Sequence, residues 1–183
     1  MKIRFLFHKP IGERGVGKAI VAWTGFLALF YNWKLFKYPY SHVEIWMVGG
    51  FGVFEIEDMG YFGKCFSSTT RGTSDGVRIA PACDILHNPY RWDYIETNVD
   101  PERCEVALAE SNKLIGLKYD YGYILSFLQP FILQKEKAWA CSELCDWFRV
   151  LCGLIPPKKQ KRVSPRRLAY ILSKKWGNPV PLE

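Results

Sequence analysis

The stretch that most constrains this chain is Lys137-Ala-Trp-Ala-Cys141-Ser-Glu-Leu-Cys145-Asp-Trp-Phe-Arg149-Val-Leu-Cys152-Gly153. Leu144, Trp147, Phe148 and Leu151 fall at the i, i+3, i+4, i+7 spacing of a core-facing helix. Gly153 and then Pro156-Pro157 supply the stop. The spacing predicts a buried helix of about four turns with Cys141 in the first. There the unpaired backbone N–H groups and the positive end of the macrodipole favour a thiolate. The competing reading is a cysteine that merely fills core space, as free cysteines often do.

A second stretch weighs against that competitor. Tyr40-Ser-His42-Val-Glu44-Ile-Trp46-Met-Val48 alternates apolar and polar residues and ends at Gly49-Gly50, which predicts a strand. The two-residue period puts His42, Glu44 and Trp46 on one face. A lone strand histidine is usually structural. A thiol, a base and a polar group to orient the base together form the general arrangement of an activated nucleophile.

Two further stretches, Gly76-Val77-Arg78-Ile79 and Gly116-Leu117-Lys118-Tyr119-Asp120-Tyr121, lie between Ser41-His42-Val43 and Cys141-Ser142-Glu143-Leu144. In this order the four resemble the circularly permuted NlpC-type, papain-like cysteine hydrolases. The YiiX-like branch is nearest, and lecithin:retinol acyltransferase is a more distant relative. In permuted members the His strand precedes the Cys helix, as here. The resemblance covers residues 2 to 155 and implies an α+β fold, a papain-like antiparallel sheet packed against the nucleophile-bearing helix. It implies a Cys141–His42 dyad with a polar third residue, cleaving an amide, ester or thioester. Peptidoglycan-type peptides and lipid acyl groups are the substrates it implies.

The third member is open between residues. Aligned on the Gly-Val-Arg stretch, Ser67 takes the orienting position, where the family more often has His or Glu. Glu44 stands where the family usually has glycine, on the face of His42. Glu44 is the expected carboxylate, with Ser67 as helper or rival and Glu55 as a further contender. The bland alternative for Glu44 is a rim residue paired with a lysine. Tyr119 and Tyr121 are candidate substrate contacts, and Trp139 a candidate pocket wall. The Cys141 backbone N–H is the expected oxyanion donor.

The rest of the chain fits one domain. Its 183 residues, 49% hydrophobic and 16% aromatic, suffice for a packed core. The expected division is a catalytic unit over 1–157 and a basic helical extension over 158–183 packed on it. Met1 to Phe7, Val53 to Glu57, Lys64 to Thr69, Val77 to Ile79 and Arg91 to Glu96 read as strands. Asp100-Pro101 starts a helix that runs to about Leu117, and Ser164-Pro165 starts a last one. Lys18 to Trp33 is apolar on most faces and too short to span a bilayer, so a buried helix is expected, with an interfacial role open. Gly12 to Gly17 lacks the Gly-Lys-Ser/Thr ending of a phosphate loop.

No cofactor and no metal site are expected, since Cys65, Cys83 and Cys104 lack metal-ligand spacing. No export signal is legible, so a cytoplasmic, reducing setting with free thiols is expected. The net charge of +7 gathers in Lys158 to Arg167 and Lys174-Lys175. It reads as a solvated face, or as a surface for an anionic membrane; nucleic acid is disfavoured because no binding signature is present. The alternatives to a thiol enzyme are a catalytically silent binding module of the same fold, and a basic membrane- or nucleic-acid-associated protein with an incidental cysteine.

Overall fold

A computed structural model describes residues 1–11, 16–31, 33–48, 61–70, 75–125, 138–156 and 163–182. The expected strand over 53–57, Glu55 within it, most of the 12–17 turn and the Lys158–Arg162 run lie outside the described residues. In chain order the elements are β1 (Lys2–His8), α1 (Val16–Tyr31), a 3-10 turn (Trp33–Lys37), β2 (His42–Met47), β3 (Lys64–Thr69), β4 (Gly76–Pro81) and α2 (Ala82–Ile85). They continue with β5 (Trp92–Asn98), α3 (Pro101–Asn112), β6 (Lys118–Tyr119), α4 (Tyr121–Leu125), β7 (Ala138–Trp139), α5 (Cys141–Leu151), α6 (Pro165–Trp176) and β8 (Val180–Pro181).

Among the described residues the fold is mixed α and β, built on a six-stranded antiparallel sheet ordered β4-β3-β2-β1-β5-β8. Strand alternation sends Ile3, Phe5, Phe7, Val43, Ile45, Met47 and Phe66 to one face, where they bury against α3, α5 and α6. Leu6, Trp46 and Cys65 go to the other face with Ala82, Leu86, Trp92 and Leu182. The caps read from sequence form as expected. Asp100 accepts from the Arg103 N–H at 3.1 Å, and Ser164 from the Arg167 N–H at 3.3 Å.

Three elements differ from expectation. Helix α5 begins on Cys141 itself and runs 11 residues, three turns where four are expected, because the preceding Ala138–Trp139 pairs as β7 with β6. Helix α3 stops at Asn112, and a turn carries the chain to Gly116. On α1, Trp23 and Phe26 are exposed, 37% and 50%, with their rings 5.6 Å apart. A helix apolar on every side gives no sequence signal for which face is covered.

On α5, Leu144, Cys145 and Phe148 are fully buried, and the Phe148 ring lies 6.1 Å from Phe66 on the sheet. Phe148→Ala removes that ring from a packed interior, and about 3–5 kcal/mol of stability should go with it. Urea denaturation of the two proteins checks this; a loss under about 1 kcal/mol would mean that the helix does not depend on this contact.

Candidate active site

Because α5 starts on Cys141, the thiol sits among the first-turn N–H groups that have no partner within the helix. Glu143 closes this end by accepting the Ala140 N–H at 3.3 Å. The thiol is brought to β2. Pairing of β2 with β3 runs only from Ile45–Phe66 to Met47–Lys64, and beyond it the Val43 N–H bonds the Cys141 sulfur. The His42 imidazole and the Tyr119 hydroxyl also hydrogen-bond that sulfur. Alternation points His42 and Glu44 away from α5, so thiol and imidazole meet at the end of the β2–β3 ladder and not across a sheet face.

The imidazole is held from its other side. His42 Nε2 lies 3.0 Å from Glu44 Oε1 and 3.3 Å from Ser67 Oγ. The Ser67 hydroxyl has one proton, and backbone acceptors stand at 3.2 Å on Val43 and Ser68. Toward the ring Ser67 therefore accepts, as the carboxylate does. Nε2 must carry the hydrogen, which leaves the lone pair on Nδ1. Glu44 and Ser67 thus converge on one nitrogen, and the sequence alternatives become partners.

Arg78 completes the row. Its Nη2 donates to Glu44 Oε1 at 2.9 Å, and the Glu44 side chain is 2% exposed. When Cys141 and His42 form an ion pair, the sequence thiolate, imidazolium, carboxylate, guanidinium alternates in sign and sums to zero. A net-neutral row limits the cost of burying four charges. Arg78 stands in the quoted Gly76-Val77-Arg78-Ile79 stretch, but its role depends on the β3–β4 register that sets it opposite Ser67. Trp92 is a further residue the sequence reading did not single out; its ring lies 6.3 Å from His42 and 4.9 Å from His8, edge-on to both.

The two glycine stretches meet. Val77 N–H donates to Leu117 O at 2.8 Å and Gly116 N–H to Val77 O at 2.9 Å. Gly76 sits at φ +131°, and a Cβ there would fall 2.0 Å from Leu117 O, so only glycine permits the approach. This contact ties β4, which carries Arg78, to the strand that carries Tyr119. Tyr121 is not brought to the thiol: it is exposed, 5.2 Å ring to ring from Tyr119, with its hydroxyl 3.4 Å from Asp75. Trp139 is half-buried two residues before Cys141 and packs on Trp147 at 5.5 Å.

Electrostatics follow from this geometry. Burial pushes the Cys141 thiol up, but His42, the Val43 N–H and the Tyr119 hydroxyl outweigh it, and the thiol lies below its ordinary 9.0. Burial pushes His42 down; Cys141 and Glu44 more than reverse this, and the ring lies above its ordinary 6.5. Both shifts favour the ion pair. Cys145, one turn further on, has no such neighbour and is pushed well above 9.0 by burial. Among the described residues no group of His, Cys, Asp and Glu has the geometry to hold a metal ion.

Glu143 is raised to about 7, by burial first and then by Asp120, against the Ala140 hydrogen bond. A carboxyl that keeps its proton in the folded state while the unfolded chain loses it near 4.5 makes stability fall as pH rises from there to about 7. Glu143→Gln keeps an acceptor for Ala140 and removes the titration. Urea unfolding at pH 4.5, 6 and 7.5 should show the difference between variant and parent shifting toward the variant across that window. A difference that stays constant with pH would rule out this linkage.

Comparison with known protein families, with curated proteins and with solved structures finds no match for this chain. No described helix is long and apolar enough to cross a membrane.

Proposed function

We propose that this chain is a thiol hydrolase or acyltransferase of permuted papain-like architecture, with Cys141 as nucleophile, His42 as base, and Glu44 with Ser67 orienting the imidazole. One observation carries the reading: a thiol on the first residue of a helix, hydrogen-bonded to an imidazole whose far nitrogen is held by a buried carboxylate. The thiolate attacks an acyl carbon, and the developing oxyanion meets the Cys141 backbone N–H. His42 gives its proton to the departing amine, alcohol or thiol, leaving an acyl-enzyme. The same imidazole then deprotonates water or a second acceptor, whose attack releases the acyl group and restores the thiol. The substrate class is an amide, ester or thioester; peptidoglycan-type peptides and lipid acyl groups are the first to try.

The test starts with a thiol-directed, activity-based probe on the intact chain, followed by mass spectrometry of the labelled peptide. Modification should fall on Cys141 at neutral pH and vanish in Cys141→Ser. A screen of amide, ester and thioester substrates should then trap an acyl group on the same residue. Equal labelling of all six cysteines would remove the nucleophile. Selective labelling with no acyl-enzyme from any class would favour the second reading, a silent binding module of the same fold.

A further inference from the structure

The turn Trp33–Lys37 and helix α6 flank a half-open cleft of about 450 Å³ that, among the described residues, shares none with the site around Cys141. Three lysines line it, Lys34, Lys37 and Lys174, with Tyr38, Tyr170, Ser173 and Asn178 between them and, among the described residues, no carboxylate. Two basic groups far apart in sequence, Lys34/Lys37 and Lys174, are thus brought to one concavity. We propose that this cleft binds a phosphate-bearing anion.

The walls are fixed before any ligand arrives. Arg166, 3% exposed, donates from Nη1 to Leu35 O at 2.9 Å and from Nη2 to Val21 O at 3.2 Å, locking α6 onto the turn. Ser173 donates to Tyr170 O at 2.9 Å, and its Oγ lies 2.7 Å from the Tyr38 hydroxyl, which also reaches Asn178 Oδ1 at 3.4 Å. Lys37 Nζ donates to Asn178 Oδ1 at 3.1 Å and lies over the Tyr38 ring at 5.1 Å. Lys174 Nζ lies over the Tyr170 ring at 5.4 Å. Neutral and aromatic partners hold both ammonium groups without cancelling their charge, and among the described residues neither makes an ion pair.

A phosphate suits this arrangement better than a carboxylate. Its charge and several acceptor oxygens let it engage more than one point-charge ammonium at a time. The volume lies in the usual range for small-molecule sites, about 300–1,000 Å³, which leaves room for the group the phosphate is attached to beside the tyrosines. That group is the headgroup of a lipid or part of a soluble phosphoester.

Calorimetry of the intact chain with inorganic phosphate and with glycerol 3-phosphate tests the soluble source. Flotation with phosphatidylcholine vesicles, with and without phosphatidylglycerol, tests the lipid source. Binding in solution assigns a soluble phosphoester; binding to phosphatidylglycerol vesicles alone assigns a headgroup. In either arm the double variant Lys37→Ala/Lys174→Ala should lose about twenty-five-fold, about fivefold for each lysine. Asn178→Asp, which puts a negative charge in the cleft, should lose affinity as well. Lys113→Ala, at an exposed position just past the end of α3, should bind as the parent does. No binding by the parent in any arm, full binding by the double variant, or an equal loss in Lys113→Ala would overturn the proposal.

Discussion

His42→Gln should make Cys141 behave as Cys145 already does. The two thiols lie on one helix and are equally buried, and they differ in what stands beside them. Without an imidazole, burial first, and then the negative charges of Cys141, Glu44 and Asp146, push Cys145 well above 9.0; beside His42, Cys141 falls below that value. Glutamine keeps an amide for Glu44 and supplies no positive charge. With a thiol pKa of 9 or more, the thiolate at pH 7 is about one part in a hundred or less, so alkylation by iodoacetamide at that pH should slow. The midpoint of the rate against pH should move from below 9.0 to above it. Cys83, the one cysteine that is not buried, should be replaced by serine in both proteins so that it does not mask the signal. An unchanged midpoint would show that the helix end, the Val43 N–H and the Tyr119 hydroxyl hold the thiolate without the imidazole, and His42 would lose its role as base.

Glu44→Gln should cost both stability and reactivity. The carboxylate joins His42 to Arg78, and its side chain is almost fully buried. Losing its charge leaves the guanidinium facing a neutral amide; breaking one side of a buried pair typically costs about 3–5 kcal/mol. The imidazolium loses its nearest negative neighbour on the Nε2 side, so the Cys141 midpoint should rise. Ser67→Ala removes only an accepting hydroxyl, worth about 0.5–1.5 kcal/mol, and should move the midpoint less. Urea denaturation and thiol titration on both variants give the two answers separately. If Ser67→Ala moves the midpoint and Glu44→Gln does not, the serine orients the ring and the carboxylate serves Arg78 alone.

The parts legible in the sequence were those written in local chemistry. Asp100-Pro101 and Ser164-Pro165 name helix starts because capping needs only residues three apart. The two-residue period placed Glu44 beside His42, and helix position singled out Cys141. What depended on register was hidden. Arg78 reaches Glu44 because β4 pairs with β3 opposite Ser67, and Trp92 reaches His42 because β5 and β2 both pair with β1 at His8. No local pattern carries those offsets. The last strand was hidden for another reason: Val180–Pro181 lies in a proline-rich tail, and two residues at a sheet edge leave no periodicity to read.

The place of β1 in the sheet has a consequence in time. It pairs with β5 from Lys2–Asn98 to His8–Trp92, so the middle of the sheet closes only across most of a hundred residues. Closures over long loops make folding slow, because the entropy of bringing distant segments together is spent before their contacts form. Cys141 leaves the ribosome after all of these strands, and its partner His42 must already be held on β2 for the thiol to ionise. Until then the cysteine is an ordinary, sluggish thiol. The onset of fast alkylation at Cys141 during refolding is therefore a clock for the arrival of the finished sheet.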